Sequence, residues 1–400
     1  MKKLLILILI IGISSCKKEL GGNNTAINIP SSTTLSGNIN ITTTLTADKV
    51  WTLKGYVYVT DGAKLIIQPG TLIISDIAEK GALIIERGAQ IIAEGTQTKP
   101  IIFTSGKAIG ERLPGDWGGI VILGRAVTNR SSEPTIEGGI GRAYGGNNDT
   151  DNSGILRYIR IEYAGVAAMP NSEINALTLG AVGSGTTLEN IQTIYANDDA
   201  FEFFGGSVNA SNLYAYATAD DDYDFDFGYI GTISNSISKR DPQFVDMGDA
   251  GNGIESDNDG VGSNSQPYTH PKLINIILIG PFDATSLPNH NLGLRFRRAS
   301  QFTIQNSKII GYQKGSFSLE SNEAAQSYKD NISKFENNEY QSFDPLLNFK
   351  STSTVITAAD MKIKSTLNGN KELFYTKSNM ETLSKPIWVN NWTRFPIKGY

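Results

Sequence analysis

The sequence predicts an all-β chain wound as a parallel β-helix, a β-solenoid in which each coil stacks on the one before. Three observations carry this. First, a stretch beginning at Leu188 returns 22 residues later, placing Asn190 over Asn212, Asp198 over Asp220, Asp199 over Asp221, Phe201 over Tyr223, Glu202 over Asp224 and Phe203 over Phe225. A fixed period of this size marks units that cannot bury their apolar faces alone and must stack. Second, short runs rich in Ile, Val and Leu end in Gly or Pro-Gly, as in Ala63-Lys-Leu-Ile-Ile-Gln-Pro-Gly and Ala82-Leu-Ile-Ile-Glu-Arg-Gly. No two-residue Asn-Gly link joins neighbouring runs, which argues for coils over hairpins. Third, no long stretch repeats at the helical period.

Within the repeat, Phe201-Glu202-Phe203 and Tyr223-Asp224-Phe225 alternate as strands do, so the aromatics face the core and the acids face out. Parallel pairing then stacks equivalent side chains at about 4.8 Å and makes a column of carboxylates.

The chain has 400 residues with 41 glycines, is 19% charged and carries a formal net charge of −5. That composition suits a folded β-rich protein with a large core. With no basic cluster, it excludes a phosphate-binding surface for nucleic acid, and cations or glycans are the expected partners.

Met1-Lys-Lys, an apolar run from Leu4 to Ile13 and then Ser14-Ser-Cys16 read as a signal peptide over residues 1–15, too short to span a bilayer. Cys16 is the one cysteine, so no disulfide forms within the chain. Its placement after Ile13-Ser-Ser resembles a lipobox and predicts lipidation at Cys16, a membrane anchor and an outer-membrane lipoprotein on the periplasmic or cell-surface face. Residues 16–45 are polar and without periodicity, as a tether is. Coils begin at Val50-Trp-Thr-Leu-Lys-Gly-Tyr-Val-Tyr-Val and occupy 46–320, leaving 321–400 as a C-terminal cap and extension.

The phrases Leu53-Lys-Gly-Tyr-Val-Tyr-Val, Ile67-Gln-Pro-Gly-Thr, Asp116-Trp-Gly-Gly-Ile-Val-Ile-Leu-Gly-Arg-Ala, Phe201-Glu-Phe-Phe-Gly-Gly and Gly253-Ile-Glu resemble a group of secreted Bacteroidota lipoproteins. The likeness runs from about Trp51 to Arg298. It implies a right-handed parallel β-helix and an envelope location, and it implies nothing specific about activity.

The asparagine marker continues at Asn235, Asn275 and Asn306, with Tyr158 a weaker earlier counterpart. Stacked asparagines at one position of successive coils predict a turn or internal amide ladder. Counting from the marker, and allowing equal insertions in two coils, yields one outward column: Thr178, Glu202, Asp224, Glu255, Arg295 and Ser318. The insertions bring Asp246-Met-Gly-Asp249 and Ser256-Asp-Asn-Asp-Gly260 to the same side, where they add oxygen donors. Beyond Glu320, residues 323–337 suggest a polar helix and Thr357-Ala-Ala-Asp-Met a short one with a threonine cap. Trp388 and Trp392 are expected to cover the last coil, whose strand edges an open solenoid end would expose.

Stacked carboxylates one strand apart repel by roughly 1 kcal/mol per pair in water and by more where solvent is excluded. Calcium, which takes six to eight oxygens in flexible geometry, is the expected counter-ion, with Asp198, Asp199, Glu202, Asp221, Asp222, Asp224 and Glu255 as ligands. The alternative is a solvated acidic face whose aspartates bond turn backbones. His270 and His290 read as surface loop residues, and no Cys/His cluster suggests zinc.

Two functions stay open. One is a non-catalytic binding or scaffold module toward a glycan or an envelope protein. The other is a polysaccharide lyase or glycosidase using Glu202, Asp224, Glu255 and Arg295. A lyase would pair calcium with Arg295 as base, beside Arg297 and Arg298; a hydrolase would use Glu202 with Asp199 or Asp222. The Gly-His-Gly and Arg-Ile-Lys motifs of β-helix pectin hydrolases are missing. Trp117 and Tyr223, with Tyr214, Tyr216 and Tyr229, are candidates to stack on sugars, and Arg295 and Arg297 to bind a ligand. Trp117, between an acid and two glycines, reads equally as a coil-corner residue. A cleft around the acids, formed by the insertions at 246–270 and 281–291, would favour chemistry, and a flat face would favour a scaffold.

Overall fold

The computed structural model describes residues 31–130, 133–169, 172–282, 286–342, 347–349 and 377–395. The signal-peptide and Cys16 readings, and the short helix at Thr357, lie outside the described residues. Among the described residues, twenty-seven strands join in parallel register into the three long sheets of a right-handed β-helix, which already includes Ser31–Ile39 and Thr43–Leu45, where a tether was expected, and continues past 320 through Lys334–Glu336, Glu339–Ser342 and Leu347–Phe349.

The chain visits the sheets in turn. In one coil, Ile191 to Ile194 belong to the first sheet, Phe201 to Gly206 to the second, and Ala210 and Ser211 to the third. Each strand is short because the chain must turn to reach the next sheet. The corner between third and first sheets is made by the asparagine marker, which sits in the left-handed region at Asn190, Asn212, Asn235, Asn275 and Asn306, with φ of 55°, 56°, 51°, 58° and 54°. Asparagine tolerates that region because its short polar side chain bonds locally, whereas most residues pay about 1–2 kcal/mol. Tyr158 occupies the same corner at φ 52° and Asn337 continues it at 56°. The asparagines are turn residues, exposed at Asn235, Asn275 and Asn306, and one rung of the expected amide ladder is seen, where the Asn275 amide donates to Asn235 Oδ1 at 2.5 Å.

Inside, alternation fills the bore with stacked side chains. Phe201 lies on Tyr223 with ring centroids 5.4 Å apart, and Phe203 on Phe225 at 5.1 Å. Both stacks are fully buried, as the in-and-out reading requires.

A second apolar layer sits outside the bore. Ile136, Ile140 and Tyr144 of the insertion after Leu123, together with Ile174, cover the outward residues Ile84, Val121 and Leu123 of the second sheet. The sheet therefore has a roofed half and an acidic half.

The helix expected in 323–337 is α1 (Asn322–Lys329), capped by Ser321, whose side chain accepts from the Ala324 N–H. The tryptophans correct the sequence reading. Trp392 packs edge-on against Tyr158 and Trp388 against Tyr214, both on strands well before the last coil. Gln192 fixes this return, its amide donating to Arg394 O at 2.9 Å while its Oε1 accepts from the Arg394 N–H at 2.8 Å. Residues 377–395 thus strap the outer face of the first sheet. They go there because Tyr214, Ile237, Ile279 and Ile310 would otherwise leave that face apolar.

Candidate functional site

The column counted from the asparagine register is the column observed. Thr178 pairs with Glu202, Glu202 with Asp224, Asp224 with Glu255, Glu255 with Arg295 and Arg295 with Ser318. In the other direction it continues through Val121, Ile84 and Tyr58. The acids begin where the apolar roof ends.

There the surface is a cleft with a cavity of about 810 Å³, lined by Glu202, Asp224, Asn175, Asp198, Asp199 and Asp220 from the coils, by Glu137 and Glu173 from the roof, and by the loop from Phe244 to Asp249. That loop is held in place. Asp246 N–H donates to Ala219 O at 2.9 Å, and the Asn289 amide donates to the carbonyls of Asp246 and Asp249, each at 2.9 Å. Of the insertions expected to form a cleft, 246–270 and 281–291, the first contributes its beginning, as part of the wall from Phe244 to Asp249, and the second braces that wall through Asn289.

Five carboxylates converge in two triads, Asp198 with Asp199 and Asp220, and Asp199 with Glu202 and Asp224, whose oxygens lie within 4.8 Å of one another in each set. Asp199 is common to both. Its Oδ1 accepts the Asp221 N–H of the next coil at 2.9 Å, and Glu202 Oε2 accepts from the Asn175 amide. Asp224 Oδ1 is buried with no hydrogen-bond partner. Burial and mutual repulsion hold these acids protonated well above the ordinary carboxylate range. Asp198 and Asp220 are each pushed up to about 8, first by desolvation and then by neighbouring acids such as Glu137 beside Asp198 and Asp198 beside Asp220. Glu202, Asp199 and Asp224 are likewise raised well above the ordinary carboxylate range, first by desolvation and then by neighbouring acids. Asp199 and Glu202 are each only 6% exposed, while Asp198, Asp220 and Asp224 remain half-buried at the cleft surface.

Of the seven ligands expected from sequence, Asp198, Asp199, Glu202 and Asp224 meet in the triads. Asp221, Asp222 and Glu255 are engaged elsewhere. The run Asp220-Asp221-Asp222 turns a corner, and its three side chains diverge. Asp221 Oδ1 accepts from the Asn252 backbone and side chain at 2.5 and 2.9 Å, while Asp222 is buried in an ion pair with Arg240 at 3.2 Å. Glu255 pairs with Arg295 at 2.9 Å and with Arg297. The loop after Glu255 closes on itself and adds no donors. Asp257 pairs with Arg297 and Arg298, each at 2.7 Å, and Asp259 accepts from the Val261 and Ser263 N–H groups of its own turn, each at 3.0 Å.

Of the sugar-stacking candidates, Trp117, Tyr223 and Tyr229 are core residues, while Tyr214 and the half-buried Tyr216 lie under the 377–395 strap. Trp117 is buried with its Nε1 donating to Glu162 O at 2.8 Å, and Tyr223 is buried with its hydroxyl donating to Ile237 O at 2.8 Å. Tyr214 and Tyr229 are buried as well. His290, read as a surface residue, is buried beside Arg240, and burial with that neighbouring charge pushes its pKa down to about 3. Arg295 is clamped between Glu255 and Glu320, so the guanidinium that a lyase would use as base is ion-paired on both sides. The register pointed to neither Glu137 nor Glu173, because both lie on insertions. Asp220 was visible as the repeat partner of Asp198.

Carboxylate and amide oxygens make this cleft a fit for a hard divalent cation. Residues 37–393 match the family model for a pectate-lyase-like β-helix domain. No curated protein and no solved structure gave a significant match. With three parallel sheets in continuous register and that match over most of its length, the chain belongs to the pectate-lyase-like β-helix family.

Proposed function

We propose that the cleft binds a divalent cation, calcium by its ligand chemistry, and that the protein is a non-catalytic glycan-binding module whose cation-loaded cleft holds a saccharide. The observation that carries this reading is the pair of carboxylate triads joined at Asp199. Five acids at that spacing, Asp199 and Glu202 buried and the other three half-buried, repel unless protonated or matched by a cation, and flexible oxygen coordination suits calcium. Arg295 and Arg297, each clamped by carboxylates, favour binding over β-elimination.

The cleft around the acids, where a plain scaffold would have a flat face, favours a hydrolytic second reading. Glu202 and Asp224 face each other across neighbouring coils inside an enclosed cleft, with ionisation suppressed. Glycoside hydrolysis needs one carboxyl group protonated and its neighbour ionised, so this pair serves once one of the two has lost its proton.

The experiment is a glycan array probed with the mature domain, with and without calcium, followed by incubation of any bound glycan and product analysis. Calcium-dependent binding without cleavage is the expected result. New reducing ends without unsaturation establish the hydrolase, and unsaturated non-reducing ends establish the lyase. Binding that ignores calcium removes the cation from the proposal.

The same proposal places the domain on the outer membrane through lipid at Cys16, supported by the run Ile13-Ser-Ser-Cys16 after an apolar leader. Cys16→Ala should release folded protein from the membrane fraction. Continued membrane association of a folded Cys16→Ala protein would refute the anchor.

A further inference from the structure

We propose that Arg240 is the positioning residue of the acidic cleft: through the peptide unit joining Asp220 to Asp221 it aims Asp199, the carboxylate common to both triads. This rests on the cation reading above.

Arg240 is 1% exposed. Its Nη2 donates to the carbonyls of Thr218, Ala219 and Asp220 at 3.0, 3.2 and 2.8 Å, and its Nη1 to Asn252 O at 2.6 Å and to Asp222 at 3.2 Å. Its Nε donates to His290 Nδ1 at 3.2 Å. His290 stays neutral, and so remains an acceptor, because burial and the adjacent guanidinium oppose its protonation.

Two of these contacts reach the cleft by short paths. The Asp220 carbonyl and the Asp221 N–H belong to one planar, trans peptide unit, so fixing one end fixes the other. Arg240 holds the carbonyl end, and the N–H end donates to Asp199 Oδ1 at 2.9 Å. A cation on the carbonyl also polarises that peptide and strengthens the N–H as a donor. The second path runs through Asn252. Arg240 holds its carbonyl, while its backbone N–H and side-chain amide hold Asp221 Oδ1. Asp221 is thereby turned away from the triads, and Asp199 is turned into them.

The fork matters more than the charge. Arginine offers five donors in a rigid plane, enough to span carbonyls from two coils, where lysine has three donors on a flexible stem. Burying a guanidinium carries a desolvation cost that a well-packed apolar side chain would avoid. The clamp on the acidic corner is what that cost secures.

The test uses terbium as the probe, with calcium competition, on the wild type, Arg240→Lys and Asp222→Asn, at a temperature where circular dichroism shows each folded. Arg240→Lys keeps the charge and loses the fork. Its terbium affinity should fall about 10- to 100-fold, the usual effect of losing an outer-shell partner of a metal ligand. Luminescence lifetimes compared in H2O and D2O should show added bound water, because Asp199 no longer coordinates. Asp222→Asn removes one anchor of the fork and should shift both readings the same way by less; it keeps the test open where Arg240→Lys does not fold. Unchanged affinity and lifetime in whichever variant folds overturn the assignment and leave Arg240 a clamp of the corner alone. A wild type that binds neither terbium nor calcium sinks the cation reading and takes this inference with it.

Discussion

Arg295 bridges two coils, donating to Glu255 Oε2 at 2.9 Å on one side and to Glu320 Oε2 at 3.1 Å on the other. This divides the acidic column into two parts. At Glu255 and beyond, each carboxylate has an arginine; at Glu202 and Asp224 the neighbours are asparagine and more acid. The first part holds the fold, and the second is the one that wants a ligand.

Arg295→Gln should therefore destabilise the domain, by about 1–3 kcal/mol for two charge-assisted hydrogen bonds lost at a half-buried site, with Arg297 still covering Glu255. Urea unfolding checks this. An unchanged midpoint would show that the pair contributes nothing.

Calcium should stabilise the folded state. Binding to that state alone adds RT ln(1 + [L]/Kd), roughly 2.7 kcal/mol at a hundredfold excess over Kd. Chelation should lower the melting temperature, and the double change Glu202→Gln with Asp224→Asn should abolish the response while raising the melting temperature of the metal-free protein. No heat of calcium binding at millimolar concentration, with melting indifferent to chelator, would rule the cation out.

The raised carboxyl groups set a pH dependence. Asp198 and Asp220 titrate near 8 in the folded protein, against about 3.9 for aspartate in an unfolded chain. Protonation is thus bound more tightly by the folded state. The metal-free domain should be most stable below about pH 4 as far as these groups decide, and should lose stability as pH rises from about 4 to 8. Calcium affinity should run the other way and rise through the same window. Thermal melts with chelator across that range test the sign. A metal-free stability that increases toward pH 8 would mean that the acids are ionised and satisfied.

The two faces of one strand should respond oppositely. Phe203 is fully buried, stacked on Phe225 and tilted against Tyr229, so Phe203→Asp should cost several kcal/mol, about 3–5 for a core aromatic and more for the buried charge. Glu202→Gln keeps the shape and spares the folded state the protonation of an acid that is ionised in the unfolded chain, and should leave the metal-free protein as stable or more so. Equal losses in melting temperature would contradict the assigned faces.

The sequence by itself determined the coil and its register. Asn190, Asn212, Asn235, Asn275 and Asn306 mark a corner that needs left-handed backbone, and counting from them placed Thr178, Glu202, Asp224, Glu255, Arg295 and Ser318 in one column. That works because a solenoid converts sequence spacing into spatial neighbours by a repeated translation. Only the tertiary structure decided which acids share space. Asp220, Asp221 and Asp222 are adjacent in sequence yet diverge at a corner toward the cleft, Asn252 and Arg240. Glu137 and Glu173 arrive on insertions, which no translation relates to the coils, and Arg240 acts through backbone carbonyls that carry no sequence signal. Burial was equally invisible: Trp117 and Tyr223 have the composition of a sugar platform, and their strand faces put them in the core.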